Sequence, residues 1–194
     1  MRDFDIRREL EQDLSRLHGG DGLLVHELGL CSGSARVDMA IVNGCIHGFE
    51  IKSEADTLDR LPSQIEIYGK VLDFVTIVAG GSHISKIKEM VPAWWGIRAA
   101  SSDGSTIALR DIRPPAENPA VDPFAVAQLL WRDEALAILS RGGSARGLRS
   151  KPRQALWGAL AERLTLKELQ QAVRETLMQR SDWRVDEQRI RCGA

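Results

Sequence analysis

Arg36-Val37-Asp38-Met39-Ala40-Ile41-Val42-Asn43-Gly44-Cys45-Ile46-His47-Gly48-Phe49-Glu50-Ile51-Lys52 is two apolar runs separated by a turn signal. Asn43-Gly44 tolerates the positive φ of a type I′ turn, so the sequence predicts a β-hairpin. Strand side chains alternate with a period of two. Glu50 and Lys52 therefore share one face of the second strand, Ile51 takes the other, and Asp38 stands across the hairpin. An acidic residue flanked by Phe49 and Ile51 is costly to bury unless something pairs with it. A divalent cation held by Asp38 and Glu50 answers that cost. Two carboxylates and a backbone carbonyl, expected to be that of Ile51, suit an oxygen-preferring ion such as Mg²⁺, with Mn²⁺ as a substitute. Such an ion engages phosphate oxygens and lowers the pKa of a bound water. Lys52, on the same face, is placed to orient or deprotonate that water or to neutralise a phosphate.

Outward from the hairpin, residues 3–17 read as a helix, with Phe4, Ile6, Leu10, Leu14 and Leu17 at roughly helical spacing and glycines from Gly19 to Gly22 to end it. Leu23–Leu28 reads as a strand interrupted at Glu27, and 29–35 as a loop of small residues. Beyond Lys52, Pro62 suits the first turn of a helix running to about Leu72. Gln64 and Tyr68, four residues apart, are neighbours on its surface. Asp73–Ala79 is β-branched and apolar throughout, which predicts a strand buried on both faces and parallel to its neighbour. A short helix from His83 to Met90 and strands over 94–99 and 106–110 follow. Trp94 and Trp95 are expected in the core, with base stacking as the alternative. The predicted order is helix, three strands, helix, strand, then additions: an α/β arrangement with a mixed sheet.

The chain has 194 residues and a formal net charge of −1, enough for one compact domain or a domain with an appendage. The three cysteines, Cys31, Cys45 and Cys192, are scattered and form no CxxC pair, which argues against a zinc site or a disulfide framework. No apolar run approaches the ~20 residues of a membrane span and the start is charged, so a cytoplasmic protein without membrane association is expected. Charge is unevenly spread. Residues 1–131 carry 13 Lys+Arg and 19 Asp+Glu, net −6, whereas 132–194 carry 13 and 8, net +5.

Arg113-Pro114-Pro115-Ala116-Glu117-Asn118-Pro119 breaks both helix and sheet. The sequence therefore divides into a core over 1–112, a Pro-rich linker over 113–123 and a helical basic region over 124–194. The last is expected to hold a helix from Phe124 to Leu139, a second from Gln154 to Leu164, and a third starting at Thr165 with Glu168 as capping-box partner. Between the first two, Arg141, Arg146, Arg149, Lys151 and Arg153 stand with three glycines and no acidic residue. They are candidates for contacts with the phosphates of DNA. A helical DNA-binding appendage and a small bundle packed on the sheet both fit this region.

Asp38, followed across a hairpin by Glu50-Ile51-Lys52, resembles the PD-(D/E)XK nuclease superfamily, although Val37 stands where the motif has proline. Gln64-Ile65-Glu66-Ile67-Tyr68 resembles the QxxxY motif of its RecB-like branch. The runs Glu50–Ser53, Val91–Gly96 and Leu130–Leu136 resemble an uncharacterised bacterial family within it. The resemblance implies a restriction-endonuclease-like core and a Mg²⁺-dependent deoxyribonuclease serving repair or defence against foreign DNA. Asp38 and Glu50 would then hold the metal, Lys52 would serve the water, and Gln64 and Tyr68 would act at the site. Glu27 resembles an additional acidic position at the metal. The rivals are a nucleic-acid-binding module of the same fold with weak or no catalysis, and an RNA-directed nuclease. A homodimer stays open by analogy with relatives that act on two strands. No Ser-His-Asp order, GxSxG elbow, P-loop glycine pattern or HExxH is present.

Overall fold

The computed structural model describes residues 2–18, 22–104, 106–141, 143 and 145–180. The expected glycine cap at Gly19 and Gly20, and the last part of the basic region with Cys192, lie outside the described residues.

The chain begins with helix α1 (Asp3–His18), then strands β1 (Leu23–Leu30), β2 (Ala35–Val42) and β3 (Ile46–Lys52), helix α2 (Leu61–Val71) and strand β4 (Phe74–Gly80). Helix α3 (Ile84–Met90) and strands β5 (Gly96–Ser102) and β6 (Ile107–Arg113) follow. Four helices close the chain: α4 (Pro123–Ala127), α5 (Arg132–Arg141), α6 (Arg153–Arg163) and α7 (Leu166–Gln179). The strands form one six-stranded sheet in the order β1-β2-β3-β4-β5-β6. Pairing is antiparallel within β1-β2-β3, parallel for β3-β4 and β4-β5, and antiparallel again for β5-β6. The protein is thus an α/β fold with a mixed sheet and C-terminal helices.

Each face of the sheet is covered because its apolar residues alternate. Ile6, Leu10 and Leu14 recur every four residues on α1 and pack on Met39, Ile41, Phe49, Ile51, Val78 and Ala100. The other face meets α2 and the C-terminal helices. Leu61, Tyr68 and Val71 of α2 join Ala40, Val42, Val75 and Ile77 of the sheet, and Leu156, Leu160, Leu169, Val173 and Leu177 of α6 and α7, in one apolar cluster. β4 lies between parallel neighbours and is buried from Val75 to Gly80, as its continuous apolar run predicts.

The Pro-rich stretch is pinned to the core. Asn118 is buried; its side-chain amide donates to the carbonyls of Gly69 and Leu72 at 2.8 Å each, and its backbone N–H donates to that of Asp73 at 2.8 Å. Asp73 ties three elements together. Its Oδ2 accepts the Ile46 N–H at 2.7 Å, its Oδ1 accepts Gln170 Nε2 of α7 at 2.6 Å, and Arg174 Nη1 lies 3.8 Å away.

Two local expectations are corrected. The connection between β2 and β3 is not a two-residue type I′ turn. Val42 pairs with Ile46, leaving Asn43, Gly44 and Cys45 in the loop, and neither Asn43 nor Gly44 has positive φ. Asn43 Oδ1 accepts the Cys45 N–H at 3.1 Å, an Asx-type contact that turns the chain without left-handed backbone. The helix expected over 124–139 is two helices. Asp122 caps α4 by accepting the N–H groups of Phe124 and Ala125, and the Trp131 N–H donates to Glu134 Oε2 at 2.7 Å to start α5. The groups freed between them are met by tertiary partners: Trp157 Nε1 donates to the Leu130 carbonyl and Arg180 Nη2 to that of Leu129. The Thr165–Glu168 capping box at the start of α7 is formed.

Candidate functional site

β2 and β3 pair from Val42↔Ile46 to Met39↔Phe49, and the ladder stops there. One residue further, Asp38 fills the gap with its side chain. Its Oδ2 accepts the Ile51 N–H at 2.7 Å, so the carboxylate replaces a ladder partner. On β3, Phe49 and Ile51 face α1, while Glu50 and Lys52 face α2, the alternation the sequence predicts.

Glu50 and Lys52 are almost fully buried, with side chains 3% and 5% exposed, and sit 2.6 Å apart. Glu50 is held on both oxygens. Oε1 accepts Lys52 Nζ and Gln64 Nε2, each at 2.6 Å, and Oε2 lies 2.6 Å from the Tyr68 hydroxyl. That hydroxyl has one proton, shared in reach between Glu50 and the Arg36 carbonyl at 2.8 Å. Burial and the Glu50 carboxylate push the Tyr68 pKa far up, so it remains a donor. Gln64 and Tyr68 are brought together by their spacing of four on α2, with Gln64 Nε2 3.3 Å from the Tyr68 oxygen. Gln64 Oε1 is buried and accepts no hydrogen bond from the described residues.

Helix α1 adds a residue that the sequence reading missed. Arg7 donates through Nη1 to the Asp38 carbonyl at 3.0 Å and through Nη2 to Asp38 Oδ1 at 2.9 Å. The same Nη2 lies 3.2 Å from Glu27 Oε1, and Nε lies 3.5 Å from Asp3 Oδ1. Burial alone would lower the Arg7 pKa; Asp38, Asp3 and Glu27 outweigh it and raise it. Arg7 carried no sequence signal, since it is one of several charges on an amphipathic helix. Glu27 reaches this arginine because its backbone is left-handed at φ 55°, where β1 skips one pairing between His26↔Met39 and Leu28↔Val37. The strand interruption expected at Glu27 is this lost pair: Glu27 and Asp38 drop out of the ladder together and the register is unchanged on either side.

Asp38 is half-buried, and burial, then the Glu50 charge, push its pKa up to about 6 against the opposing pull of the Ile51 N–H and Arg7. Four carboxylates (Asp3, Glu27, Asp38, Glu50) face two cations (Arg7, Lys52), a surplus of two negative charges. The donors are oxygens, the charge surplus is that of a divalent ion, and Gln64 Oε1 lacks a partner among the described residues. In charge and donor chemistry the set fits Mg²⁺ or Mn²⁺. Among the described residues, no three His, Cys, Asp or Glu side chains are grouped to hold an ion. Glu27 meets Asp38 through Arg7, and Ile51 contributes its N–H to the contacts seen.

The basic residues lie apart from this cluster in sequence. Arg141, Arg146, Arg149, Lys151 and Arg153 are all exposed. Arg146 and Arg149 line a surface cavity of about 570 Å³ together with Ser140, Gly147 and Ser150. Arg153 stacks over Trp157 at 5.2 Å. Trp95 is fully buried against Tyr68, as expected of a core residue. Burial raises the Cys31 and Cys45 thiol pKa values, so neither is an activated nucleophile.

The chain matches the model of the family described as Bacteriophage P4 protein cII over residues 10–189. It belongs to that family. A curated relative, Protein cII of Enterobacteria phage P4, is 28% identical over 123 residues, covering 63% of this chain and 47% of the relative. The chain therefore spans about half the length of that relative. No solved structure matches. Membership of the P4 cII family overturns the assignment to the PD-(D/E)XK superfamily, its QxxxY branch and the uncharacterised bacterial family. The expected deoxyribonuclease activity, its RNA-cleaving variant and the binding module of nuclease fold rested on that assignment and fall with it; the expectations of a divalent ion at Asp38 and Glu50 and of DNA phosphates at the basic residues came from the residues themselves. The physical reason is that the resemblance lay in short motifs spread along the chain, and those at its centre also have a structural use. A buried Glu-Lys pair braced by Gln and Tyr is also a way of fastening a helix to a sheet. No helix among the described residues is long and apolar enough to cross a membrane.

Proposed function

We propose that this P4 cII-family protein is a cation-binding protein of the cytoplasm that contacts DNA. The observation that carries the reading is the set of Asp3, Glu27, Asp38 and Glu50 around Arg7 and Lys52, which has two more carboxylates than cations, together with Gln64 Oε1, which has no partner among the described residues. Asp38, Glu50 and the Ile51 carbonyl would hold a divalent ion, with Glu27 as an outer carboxylate. When bound, such an ion supplies positive charge to phosphate oxygens. Lys52 sits 2.6 Å from Glu50 as its counter-charge, and Gln64 and Tyr68 fix the rotamer of that carboxylate. The DNA part rests on the five exposed basic residues from Arg141 to Arg153, which track phosphates. The finer description of the fold, a restriction-endonuclease-like core with a helical basic appendage, is supported by the order α1-β1-β2-β3-α2-β4 and is a statement of architecture alone.

The test has two arms. Fluorescence anisotropy with labelled duplex DNA and a matched RNA, from low to moderate salt, is expected to show salt-dependent DNA binding that Arg146→Ala/Arg149→Ala weakens. Calorimetric titration with Mn²⁺ is expected to show one site that Asp38→Asn removes. No DNA binding at low salt, or preference for the RNA, rejects DNA as the partner. No Mn²⁺ binding rejects the cation site.

A further inference from the structure

On the α1 face of the sheet a cavity of about 210 Å³ opens between the end of α1, strands β3 to β6 and the Pro-rich stretch. Its walls are mostly apolar. Leu14, Phe49 and Pro115 line it, and the His47 ring stacks on Phe49 at 4.2 Å. Pro115 is a rigid wall that closes on Gly96, where a Cβ would stand 3.0 Å from Pro115 Cδ. Two lining side chains carry hydrogen-bonding capacity that the fold does not use. Arg113 is fixed by backbone carbonyls: Nε donates to that of Trp95 at 2.7 Å and Nη2 to that of Pro92 at 2.8 Å. Among the described residues no carboxylate pairs with it. Asp111, on the same face of β6, and Asp13 are both spent on Arg98, at 2.8 Å each. Burial lowers the Arg113 pKa, and no carboxylate pulls it back up. His47 has Nε2 2.8 Å from Thr76 Oγ1, and burial keeps the ring neutral at pH 7. With the Thr76 hydroxyl donating, the imidazole proton sits on Nδ1, which has no partner among the described residues.

We propose that this cavity binds a small aromatic carboxylate, its ring against Leu14, Phe49 and Pro115 and its carboxylate on Arg113. An uncompensated guanidinium and a second donor beside apolar walls are the complement of a planar organic anion. The aromatic and proline walls suit a flat ring. The volume lies below the roughly 300 Å³ at which pockets for drug-sized ligands begin, so a single ring fits where a nucleotide does not. The site is prepared in advance. Two carbonyls hold the guanidinium and a proline holds the wall, so little has to be ordered on binding. The cavity shares no residue with the carboxylate cluster around Arg7 and Lys52.

The test is ligand-observed NMR titration of the full chain with benzoate and with benzamide, its uncharged counterpart, for the wild type, Arg113→Gln and Leu17→Glu. Wild type is expected to bind benzoate saturably and benzamide roughly tenfold more weakly, the effect of losing one charge-assisted contact. Arg113→Gln should weaken benzoate by a similar factor and leave benzamide unchanged. A merely structural Arg113 would weaken both ligands alike, which overturns its contact with the carboxylate. Because Arg113 also fastens the Trp95 and Pro92 carbonyls, Leu17→Glu carries the test if Arg113→Gln does not fold. Leu17 lines the cavity and is exposed, so the fold tolerates a charge there, and that charge repels an anion. Benzoate should bind this variant more weakly and benzamide equally well. Absence of saturable benzoate binding to wild type, or benzamide binding as tightly as benzoate, overturns the site. Benzoate binding that neither variant weakens places the anion elsewhere and overturns it too.

Discussion

Between pH 4 and 6.5 two half-buried groups pull the stability of this fold in opposite directions. The Asp38 carboxyl has its pKa raised from 3.8 to about 6, first by burial and then by Glu50. Between those values the folded chain keeps a proton that the unfolded chain has released, so stability falls as pH rises. At about 1.4 kcal/mol per pH unit the difference is on the order of 3 kcal/mol. His47 stacks on Phe49 with centroids 4.2 Å apart and has Nε2 2.8 Å from Thr76 Oγ1. Burial first, then His18 and Arg98, lower its pKa from 6.5 to about 4. Over that window the unfolded chain binds the proton first, so stability falls as pH drops, again by on the order of 3 kcal/mol. The two contributions nearly cancel in the wild type and separate in single variants. Relative to wild type, Asp38→Asn should lose stability steadily as pH is lowered from 6.5 to 4, and His47→Gln should gain it. Urea unfolding followed by tryptophan fluorescence at half-unit pH steps measures both, and the difference from wild type removes the background of other carboxylates. Differences that stay constant across this range would refute the environments assigned to these two side chains.

Three other outcomes follow from the geometry. Glu50→Ala leaves Lys52 buried without its counter-charge, and is expected to destabilise by about 3–5 kcal/mol, whereas Lys52→Met leaves Glu50 with two hydrogen-bond donors and should do less harm. A double-mutant cycle in urea should show the pair restoring part of the loss, and simple additivity would contradict the contact. The log–log salt dependence of DNA affinity should become shallower by about one for each of Arg146→Ala and Arg149→Ala if each neutralises one phosphate; an unchanged slope removes that residue from the interface. Gly48→Ala places a Cβ 2.5 Å from Leu72 Cδ1 and 3.2 Å from Val37 Cγ2, both fully buried, and should cost about 1–3 kcal/mol, read as a lower urea midpoint at unchanged slope.

Much of this arrangement was legible in the order of residues. Alternation placed Glu50 and Lys52 on one face, the spacing of four placed Gln64 beside Tyr68, and the apolar run from Phe74 gave the buried strand. These are short-range regularities that periodicity reads well. Arg7 was not legible, because its meaning depends on a contact with a residue 31 positions away. The break between α4 and α5 was hidden for the same reason, since its free backbone groups are met by Trp157 and Arg180 from distant helices. The hairpin turn failed on chemistry rather than distance: Asn43 used its side chain where a left-handed backbone was expected. The family was misread because short motifs spread along the chain weighed more than the continuous match to the P4 cII family over residues 10–189.

Asp73 joins the first residue of β3, its own position beside β4, and α7 through a single carboxylate. In folding terms this makes the strand bearing Glu50 and the last described helix parts of one cooperative unit. Amide hydrogens near Ile46 and within α7 should exchange by the same opening event. A chain cut short before Gln170 would lose more than a helix: a buried carboxylate at the root of β3 would be left without its amide partner, and the fault would lie at the base of the strand that carries Glu50.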